Sequence, residues 1–271
     1  METGIQVVRA QTPEQKELCY KVRYDVFIKE TGYIQMENGA GLESDGYDSL
    51  ETTHQFLALF NGEIAGAVRL IMPNKENALR ERSYFGLPIE ELFDIKGYTS
   101  ANMRIAEISR SCVKERFKST KTIFYLWKAL IEFAVGRGIT DLVTNVNPET
   151  DKLSDAYLIY DHIRHNGMLD KRVAVQPKRP GIGKVRGFRF PLTDHGYVEC
   201  DGEKPMDFQM PQTLKLFTRV GSLFTGEPVY CEKIDMCALP MNWNLKEAAN
   251  SSFGRSFLRD RSYKRPAEQV A

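Results

Sequence analysis

Residues 54–72 carry the sharpest folding signal in this chain of 271 residues, because two apolar segments there flank the dipeptide Asn61-Gly62. Asparagine and glycine tolerate the positive φ angles of a two-residue β-turn, so this dipeptide favours a hairpin. We therefore expect antiparallel strands over residues 54–60 and 64–72, and any fold assigned to the chain must contain this pair.

The elements around the hairpin alternate between strands and helices. Thr12 is a predicted helix N-cap, with Pro13 in the first turn and Gln15 at the capping-box position. The remaining predicted strands lie at 5–9, 103–113, 141–146, 173–176 and 187–191. The predicted helices lie at 12–30, 122–136, 154–165 and 211–224. Residues 32–51 are predicted to form a loop, and residues 73–100 an irregular insertion with a short helix near 87–93. This order predicts a mixed α/β (α+β) sheet with helices on its faces. Because no glycine-rich phosphate loop follows any strand, a nucleotide-binding function is disfavoured.

Composition sets the domain size and the cellular setting. Apolar residues make up 42% of the chain, which is enough for one core, and we expect one domain over residues 1–243 with a basic, flexible tail over 244–271. The net charge of +1 argues against a nucleic-acid partner for the molecule as a whole. Five cysteines without paired spacing, no signal-peptide core and no membrane span together predict a cytoplasmic protein with reduced thiols.

Charged residues stand inside predicted apolar strands, which calls for an explanation. Arg69 lies within the return strand of the hairpin, and Glu107 and Arg110 lie within the strand at 103–113. Since burying an unpaired charge is costly, these groups must be paired or face a cleft. We expect three arginines to pair with three carboxylates: Arg23, Arg69 and Arg110 with Asp45, Asp48 and Glu107. Such a network serves either as a structural clamp or as a binding site, and its size favours a site.

The order and spacing of these residues resemble those of the acyl-homoserine-lactone synthases. The matching positions are Arg23 and Phe27 on the first helix, Glu43 to Asp48 in the following loop, Arg69 after the hairpin turn, and Glu107, Ser109 and Arg110 in the next strand. The chain also resembles the long-chain N-acyl amino acid synthases, and its residues 216–228 are similar to the ornithine-lipid acyltransferases. The likeness is good over residues 5–147 and weaker beyond, and it implies a GNAT-like mixed, mostly antiparallel sheet flanked by helices.

Three departures from the lactone synthases favour the N-acyl amino acid synthases. Tyr33 stands where the lactone synthases have a tryptophan, the insertion at 73–100 is additional, and the C-terminal half is longer. The resemblance therefore implies transfer of a long-chain acyl group from a carrier-protein thioester to the amine of an amino acid. Lactone synthesis from S-adenosylmethionine, acylation of ornithine or a lyso-lipid, and a non-catalytic acyl-carrier or lipid-binding module remain as alternatives.

This chemistry assigns roles to the matched residues. Glu107 is the candidate base, provided that burial raises its pKa toward neutrality, and Ser109 and Arg110 complete the catalytic set. The candidate substrate-binding residues are Arg23, Phe27, Asp45, Asp48 and Arg69, of which an arginine would grip a substrate carboxylate. Strand alternation places Arg110 on the opposite face from Glu107 unless a bulge redirects it, and the sequence leaves both possibilities open.

The segment after this strand bears on the acyl donor. Coenzyme-A-using members of the GNAT superfamily carry a glycine-containing loop there, whereas residues 114–121 contain no glycine. The segment is instead basic, which suits the acidic surface of an acyl carrier protein. The candidate docking residues are Lys114, Arg116, Lys118 and Lys121. Acyl carrier protein is thus expected as the donor in preference to acyl-CoA, with no tightly bound cofactor and no metal.

The helix at 122–136 is apolar on most sides and is either core or one wall of an acyl slot. The candidate wall residues are Phe124, Trp127 and Leu130, together with Ile123, Leu126, Ile131 and Phe133.

Other candidates carry weaker signals. Cys112 is an alternative acyl acceptor, and His162 with His165 an alternative metal pair, but core and surface roles are commoner for each. The basic stretch at 171–189 could contact a carrier protein or an anionic membrane surface. Its cationic residues are Lys171, Arg172, Lys178, Arg179, Lys184, Arg186 and Arg189.

Overall fold

A computed structural model describes residues 4–34, 39–101, 103–179, 210–252 and 254–258. The strands in chain order are β1 Ile5–Ala10, β2 Thr53–Phe60, β3 Glu63–Ile71, β4 Phe93–Asp94, β5 Ile105–Val113, β6 Asp141–Val146, β7 Gln176–Pro177, β8 Leu223–Phe224, β9 Val229–Cys231 and β10 Met236–Asn244. The α-helices are α1 Pro13–Tyr24, α2 Lys75–Glu81, α3 Gly97–Ser100, α4 Thr122–Gly136, α5 Leu153–His165, α6 Gln212–Arg219 and α7 Leu245–Asn250.

The chain divides into two compact units where the sequence predicts one domain. Unit 1 comprises residues 1–87, 104–142 and 245–271, and unit 2 comprises residues 88–103 and 143–244. All the residues that the sequence proposes for the catalytic, substrate-binding, acyl-slot and carrier-docking roles belong to unit 1. The fold of unit 1 therefore decides whether the proposed site exists.

Unit 1 is built on an antiparallel sheet in which β1, β2, β3 and β5 are neighbours in that order. The predicted hairpin is confirmed, because Asn61 and Gly62 adopt φ angles of 50° and 84° between β2 and β3. Both angles lie in the left-handed region that a tight hairpin turn requires. The predicted strand at 5–9 is confirmed as β1.

Helices cover both faces of this sheet. The N-terminus of α1 forms the predicted capping box, in which Thr12 accepts from the Gln15 amide and Gln15 accepts from that of Thr12. On one face, Val22 of α1 packs into a cluster with Leu57 of β2. On the other face, Phe133 of α4 meets Phe56 of β2 edge-on, with ring centroids 5.8 Å apart. The helix predicted at 122–136 is confirmed at both ends.

Two further segments belong to unit 1. The first helix is followed by a π-helical turn, Asp25–Glu30, so that the helix predicted over 12–30 is helical from Pro13 onward, with Thr12 as its N-cap. Helix α2 opens the insertion with Asn74 as its N-cap, and Gly86 lies so close to the backbone of Asn74 that a side chain could not fit there. The expected tail at 244–271 begins with α7 and a π-helical turn, Gly254–Leu258, and residues 259–271 lie outside the described residues.

Unit 2 departs further from the sequence predictions. The helix expected over 211–224 ends at Arg219, because Gly221 adopts a φ of 91° and starts the turn into β8. Of the strand expected over 173–176, only Gln176 belongs to a strand, the two-residue β7 that pairs with β4. The strand expected over 187–191 lies outside the described residues. The short helix expected near 87–93 is a 3₁₀ turn, Pro88–Glu91.

Strand β10 has no counterpart among the predictions. Its sequence is mostly apolar but contains Pro240, a residue that argues against an interior strand. In the structure β10 pairs antiparallel with both β8 and β9. Of the helices that the structure describes, none is long and apolar enough to cross a membrane.

Candidate active site

Arg23 lies in the last turn of α1 with its side chain fully buried against β2 and β3. Its Nη1 and Nη2 donate to the two carboxylate oxygens of Asp48, at 2.9 Å each. Its Nε donates to Oε2 of Glu43 at 2.5 Å. All three nitrogens of this guanidinium are thereby used within the protein.

Asp48 is the hub of the network. It stands in a 3₁₀ turn, Gly46–Ser49, where its Oδ2 also accepts from the backbone N–H of Asp45 at 2.8 Å. Its Oδ1 accepts from Gln55 at 2.7 Å and from Arg69 at 2.9 Å, in addition to Arg23. Burial by itself would raise the pKa of Asp48, but the hydrogen bonds and charge of Arg23 outweigh it and hold the pKa far below its usual range.

Arg69 projects from the middle of β3 into the same network. Its Nη1 donates to Asp45 at 2.7 Å and to Asp48 at 2.9 Å, and its Nε donates to the hydroxyl of Ser109 at 3.0 Å. Its Nη2 is buried and has no hydrogen-bond partner within the described part of the chain. Among the described residues, Nε and Nη1 of Arg69 thus have acceptors and Nη2 does not.

Arg110 reaches the network because β5 is irregular at this point. Ala67 pairs with Cys112 and Arg69 with Ser109, so two residues of β5 oppose the single residue Val68 of β3. Arg110 occupies this bulge with a φ of 54°, which is rare for a residue other than glycine. The structure therefore settles the question that alternation leaves open: a bulge redirects Arg110.

The redirected side chain closes the network. Nε of Arg110 donates to Oε1 of Glu43 and its Nη2 donates to Oδ2 of Asp45, each at 3.0 Å. The side chains of Arg110 and Asp45 are 27% and 26% exposed, whereas those of Arg23 and Arg69 are at 0%. The network is thus buried at Arg23 and open to solvent at Arg110.

The expected pairing is confirmed for Asp45 and Asp48 but omits two participants. Glu43 bridges Arg23 and Arg110, and Gln55 of β2 donates to Asp48. The sequence already indicated Glu43, because it belongs to the loop from Glu43 to Asp48 that matches the lactone synthases. The only feature of the sequence that indicated Gln55 is a polar amide at a core-facing position of a strand. That feature alone does not identify it as a partner of Asp48.

Glu107 and Ser109 share the face of β5 that carries the network. Glu107 pairs with Ile71 and Ser109 with Arg69 across the strands, and cross-strand partners point to the same face of a sheet. Glu107 is 2% exposed, so its carboxylate is held away from bulk water. The structure brings Glu107, Ser109 and Arg110 onto one face, which is the arrangement that the catalytic assignment needs.

The candidate acyl-slot residues lie on α4 in unit 1. Trp127 and Leu130 are buried, and the half-buried ring of Phe124 meets Trp127 edge-on at 6.1 Å between centroids. The indole N–H of Trp127 donates to the hydroxyl of Ser111 at 3.1 Å, directly beside the bulge. Phe27, in the π-helical turn, packs instead against the cluster under α1.

Basic residues after β5 already have acidic neighbours. Lys114 pairs with Asp25 at 3.0 Å, and Arg116 pairs with Glu63 at 2.5 Å. Lys118 pairs with Glu115, three residues earlier in the chain. Lys121 is exposed at the start of α4. The positive field of this segment is consequently weaker than the sequence suggests.

The structure does not support the alternative roles of Cys112 as acyl acceptor or of His162 and His165 as metal ligands. Burial raises the pKa of the Cys112 thiol to about 12, so it is protonated at neutral pH and a poor acyl acceptor. His165 hydrogen-bonds its own helix, and within the described residues no group of three potential ligands is placed to hold a metal. In the basic stretch, Arg172 pairs with Asp170, whereas Lys184, Arg186 and Arg189 lie outside the described residues.

Comparison with known proteins places this site in a family. A family model described as the N-acyl amino acid synthase FeeM matches residues 18–168, which is more than half of the chain and contains the whole arginine–carboxylate network. The chain belongs to the FeeM family of N-acyl amino acid synthases. Membership of this family makes the protein an N-acyltransferase. A comparison with curated proteins gives no match.

Two solved structures share the fold at low sequence identity. FeeM itself, an N-acyl amino acid synthase from uncultured soil microbes, superposes with a TM-score of 0.54 at 7% identity, over 93% of this chain and 97% of that chain. BjaI, a CoA-dependent acyl-homoserine lactone synthase, superposes with a TM-score of 0.51 at 14% identity, over 91% and 88%. These likenesses confirm the expected GNAT-like fold with its mostly antiparallel sheet and flanking helices.

Proposed function

We propose that the protein transfers a long-chain acyl group from an acyl carrier protein thioester to the α-amine of an amino acid. The observation that carries this proposal is Nη2 of Arg69, which no described residue partners and which lies on the sheet face that also carries Glu107 and Ser109. A buried guanidinium nitrogen without an acceptor costs free energy, and a carboxylate is the acceptor that suits it best. An amino acid brings a carboxylate and an amine to the site together.

Glu107 acts as the general base. The ammonium of the amino acid must lose a proton before its nitrogen can attack, and Glu107 takes that proton directly or through a water molecule. The nitrogen then forms a bond to the thioester carbonyl carbon, and the carbon–sulfur bond breaks. The departing thiolate takes the second proton from nitrogen, so that the products are an amide and a thiol.

The oxyanion formed during this step needs hydrogen-bond donors. The bulge leaves Arg110 and Ser111 outside the regular ladder with β3, which resumes at the pair of Ala67 and Cys112. The backbone N–H groups at this irregular point, just after Arg110, are the candidate donors. Arg110 itself is held by Glu43 and Asp45, so its backbone cannot easily relax back to a regular strand. Asp45 and Asp48 keep Arg69 in place rather than binding the ammonium.

Acyl carrier protein is proposed as the donor because the loop at 114–121 has no glycine and carries four basic residues. Three of these basic residues now form ion pairs with Asp25, Glu63 and Glu115. When the carrier protein docks, they would pair with carboxylates of its surface instead. The acyl chain would run along α4 at Phe124, Trp127 and Leu130.

The proposal is tested by offering the purified protein one long-chain acyl group on two donors, acyl carrier protein and coenzyme A, with the pooled amino acids. Mass spectrometry should detect an N-acyl amino acid, formed faster from the carrier protein than from coenzyme A. A competent carrier without any amide product would refute the proposal. S-adenosylmethionine is included in a parallel reaction, and release of methylthioadenosine there would indicate lactone synthesis instead.

A further inference from the structure

Unit 2 contains a cleft of about 130 Å³ between α5, the segment before β7 and the residues around β8. The residues that define its character are Tyr160, Val173, Val175, Phe224, Thr225 and Glu227. The valines and the phenylalanine provide an apolar wall, and the other three side chains provide a ring, a hydroxyl and a carboxylate. A cavity of about 150 Å³ is large enough to hold benzene, so the cleft suits a ligand of similar size.

The cleft is framed by closely packed backbone. Gly226 approaches the strand-like segment so closely that an added Cβ would lie 2.4 Å from the carbonyl oxygen of Val175. The amide of Val175 donates to the carbonyl of Thr225 at 2.8 Å, and the amide of Thr225 donates to that of Pro240 at 2.9 Å. These contacts fix the wall from which the side chains of Thr225 and Glu227 project.

Thr225 has an unsatisfied group in this wall. Its hydroxyl is buried and has no hydrogen-bond partner among the residues that the structure describes. Buried polar atoms in folded proteins are nearly always hydrogen-bonded, and each exception asks for an explanation. A ligand in the cleft would supply the missing partner.

Glu227 is exposed to solvent and gives the cleft a negative charge. Its carboxylate accepts a hydrogen bond from the hydroxyl of Tyr157 at 3.0 Å and forms no ion pair with any described residue. Burial raises the pKa of Tyr157, and so does its hydrogen bond to Glu227. Burial and then the negative charge of Glu227 raise the pKa of Tyr160.

Among the described residues of unit 2, two arginines are already engaged in ion pairs. Arg164 pairs with Asp161 at 3.3 Å, and Arg172 pairs with Asp170 at 2.5 Å. Neither arginine is therefore available to neutralise the carboxylate at the mouth of the cleft.

We propose that this cleft binds a small primary amine in its ammonium form. The ammonium lies between the carboxylate of Glu227 and the ring of Tyr160, the hydroxyl of Thr225 accepts one of its hydrogens, and the apolar body packs on Val175 and Phe224. Because the carboxylate of Glu227 repels a second anion, the ligand has no carboxylate of its own. It is thus distinct from the acceptor amino acid of the proposed acyl transfer.

Three probes with one carbon skeleton test the proposal on the full-length protein: isobutylamine, isobutanol and isobutyrate. Ligand-observed NMR titration at neutral pH should show the amine binding at least tenfold more tightly than the alcohol, with no binding of the carboxylate. The Glu227→Gln variant should reduce amine affinity to the level of the alcohol. Glu232→Gln, an exposed carboxylate outside the cleft, is the matched control and should change nothing.

Two results would overturn the proposal. One is equal affinity of the wild-type protein for the amine and the alcohol. The other is an unchanged amine affinity in Glu227→Gln. If Glu227→Gln loses its fold by circular dichroism, Tyr160→Leu takes its place, and it must weaken the amine at least threefold more than the alcohol. The titration needs no acyl donor, so its outcome is separate from that of the acyl-transfer assay.

Discussion

Arg23 and Asp48 form a two-pronged ion pair, with both nitrogen–oxygen distances at 2.9 Å and both side chains buried. Arg23 comes from the first helix and Asp48 from the loop before the hairpin, 25 residues later. The pair therefore ties α1 to the sheet at the point where the proposed site begins. Two charges can remain in this environment because each nitrogen and oxygen has a partner.

Replacing Arg23 with alanine should strongly destabilise the protein. The change leaves Asp48 and Glu43 buried without their main counter-charge, and breaking one half of a buried pair costs about 3–5 kcal/mol. Urea unfolding at pH 7 measures the effect. Arg164→Ala breaks an exposed pair with Asp161 and should cost less than about 1 kcal/mol, so similar losses in both variants would contradict the role assigned to Arg23.

Replacing Glu107 with glutamine should abolish most of the acyl transfer while the fold is retained. The amide keeps the size of the side chain but cannot accept a proton, and loss of a general base costs about 10²–10⁴ in kcat. Amide formation followed by mass spectrometry gives the rate. The exposed carboxylate of Glu51 provides a control, since Glu51→Gln should leave the rate unchanged. A Glu107→Gln variant with the wild-type rate would show that the base lies elsewhere.

The bulge at Arg110 can be tested by comparing two truncations. Both Arg110→Gly and Arg110→Ala lose the bonds to Glu43 and Asp45, but only glycine adopts a φ of 54° without steric cost. The glycine variant should therefore be more stable than the alanine variant by about 1 kcal/mol.

The same two substitutions at Arg116 serve as the reference for this comparison. Arg116 lies in a 3₁₀ turn and does not have a positive φ, so alanine should be the better residue there. If alanine were also the better residue at position 110, the bulge would not have the strained backbone described here.

Because of His54, the free energy of unfolding should decrease as the pH is lowered from 6.5 to 4. Burial, and then the charges of Arg9, Arg137 and Lys16, lower its folded-state pKa to about 4. Between that value and the unfolded pKa of about 6.5 the unfolded chain binds a proton that the folded protein does not, so stability decreases as the pH falls. In His54→Phe, which keeps an aromatic ring against Phe133, the difference in unfolding free energy between pH 7.5 and 5 should be smaller. An identical difference in the two proteins would show that His54 does not titrate in this way.

Local sequence patterns determined the parts of the fold that depend on near neighbours. The Asn61-Gly62 turn, the capping box at Thr12 and Gln15, and both ends of α4 were all predictable, because each depends on residues a few positions apart. Charges inside apolar strands likewise showed that Arg69 and Arg110 must find carboxylates, since an unpaired buried charge is too costly.

Tertiary structure decided which groups meet. The bulge in β5, which turns Arg110 toward Glu43, arises from a mismatch between two strands and cannot be read from either strand alone. Strand β10 forms despite Pro240 because its neighbours β8 and β9 supply the pairing. The sequence by itself thus determined which charges need partners. Only the folded chain decided that Glu43 and Gln55 share in that pairing, and that Nη2 of Arg69 has no partner among the described residues. The physical reason is that these contacts join different elements of the fold, as where Glu43 meets Arg110, 67 residues later.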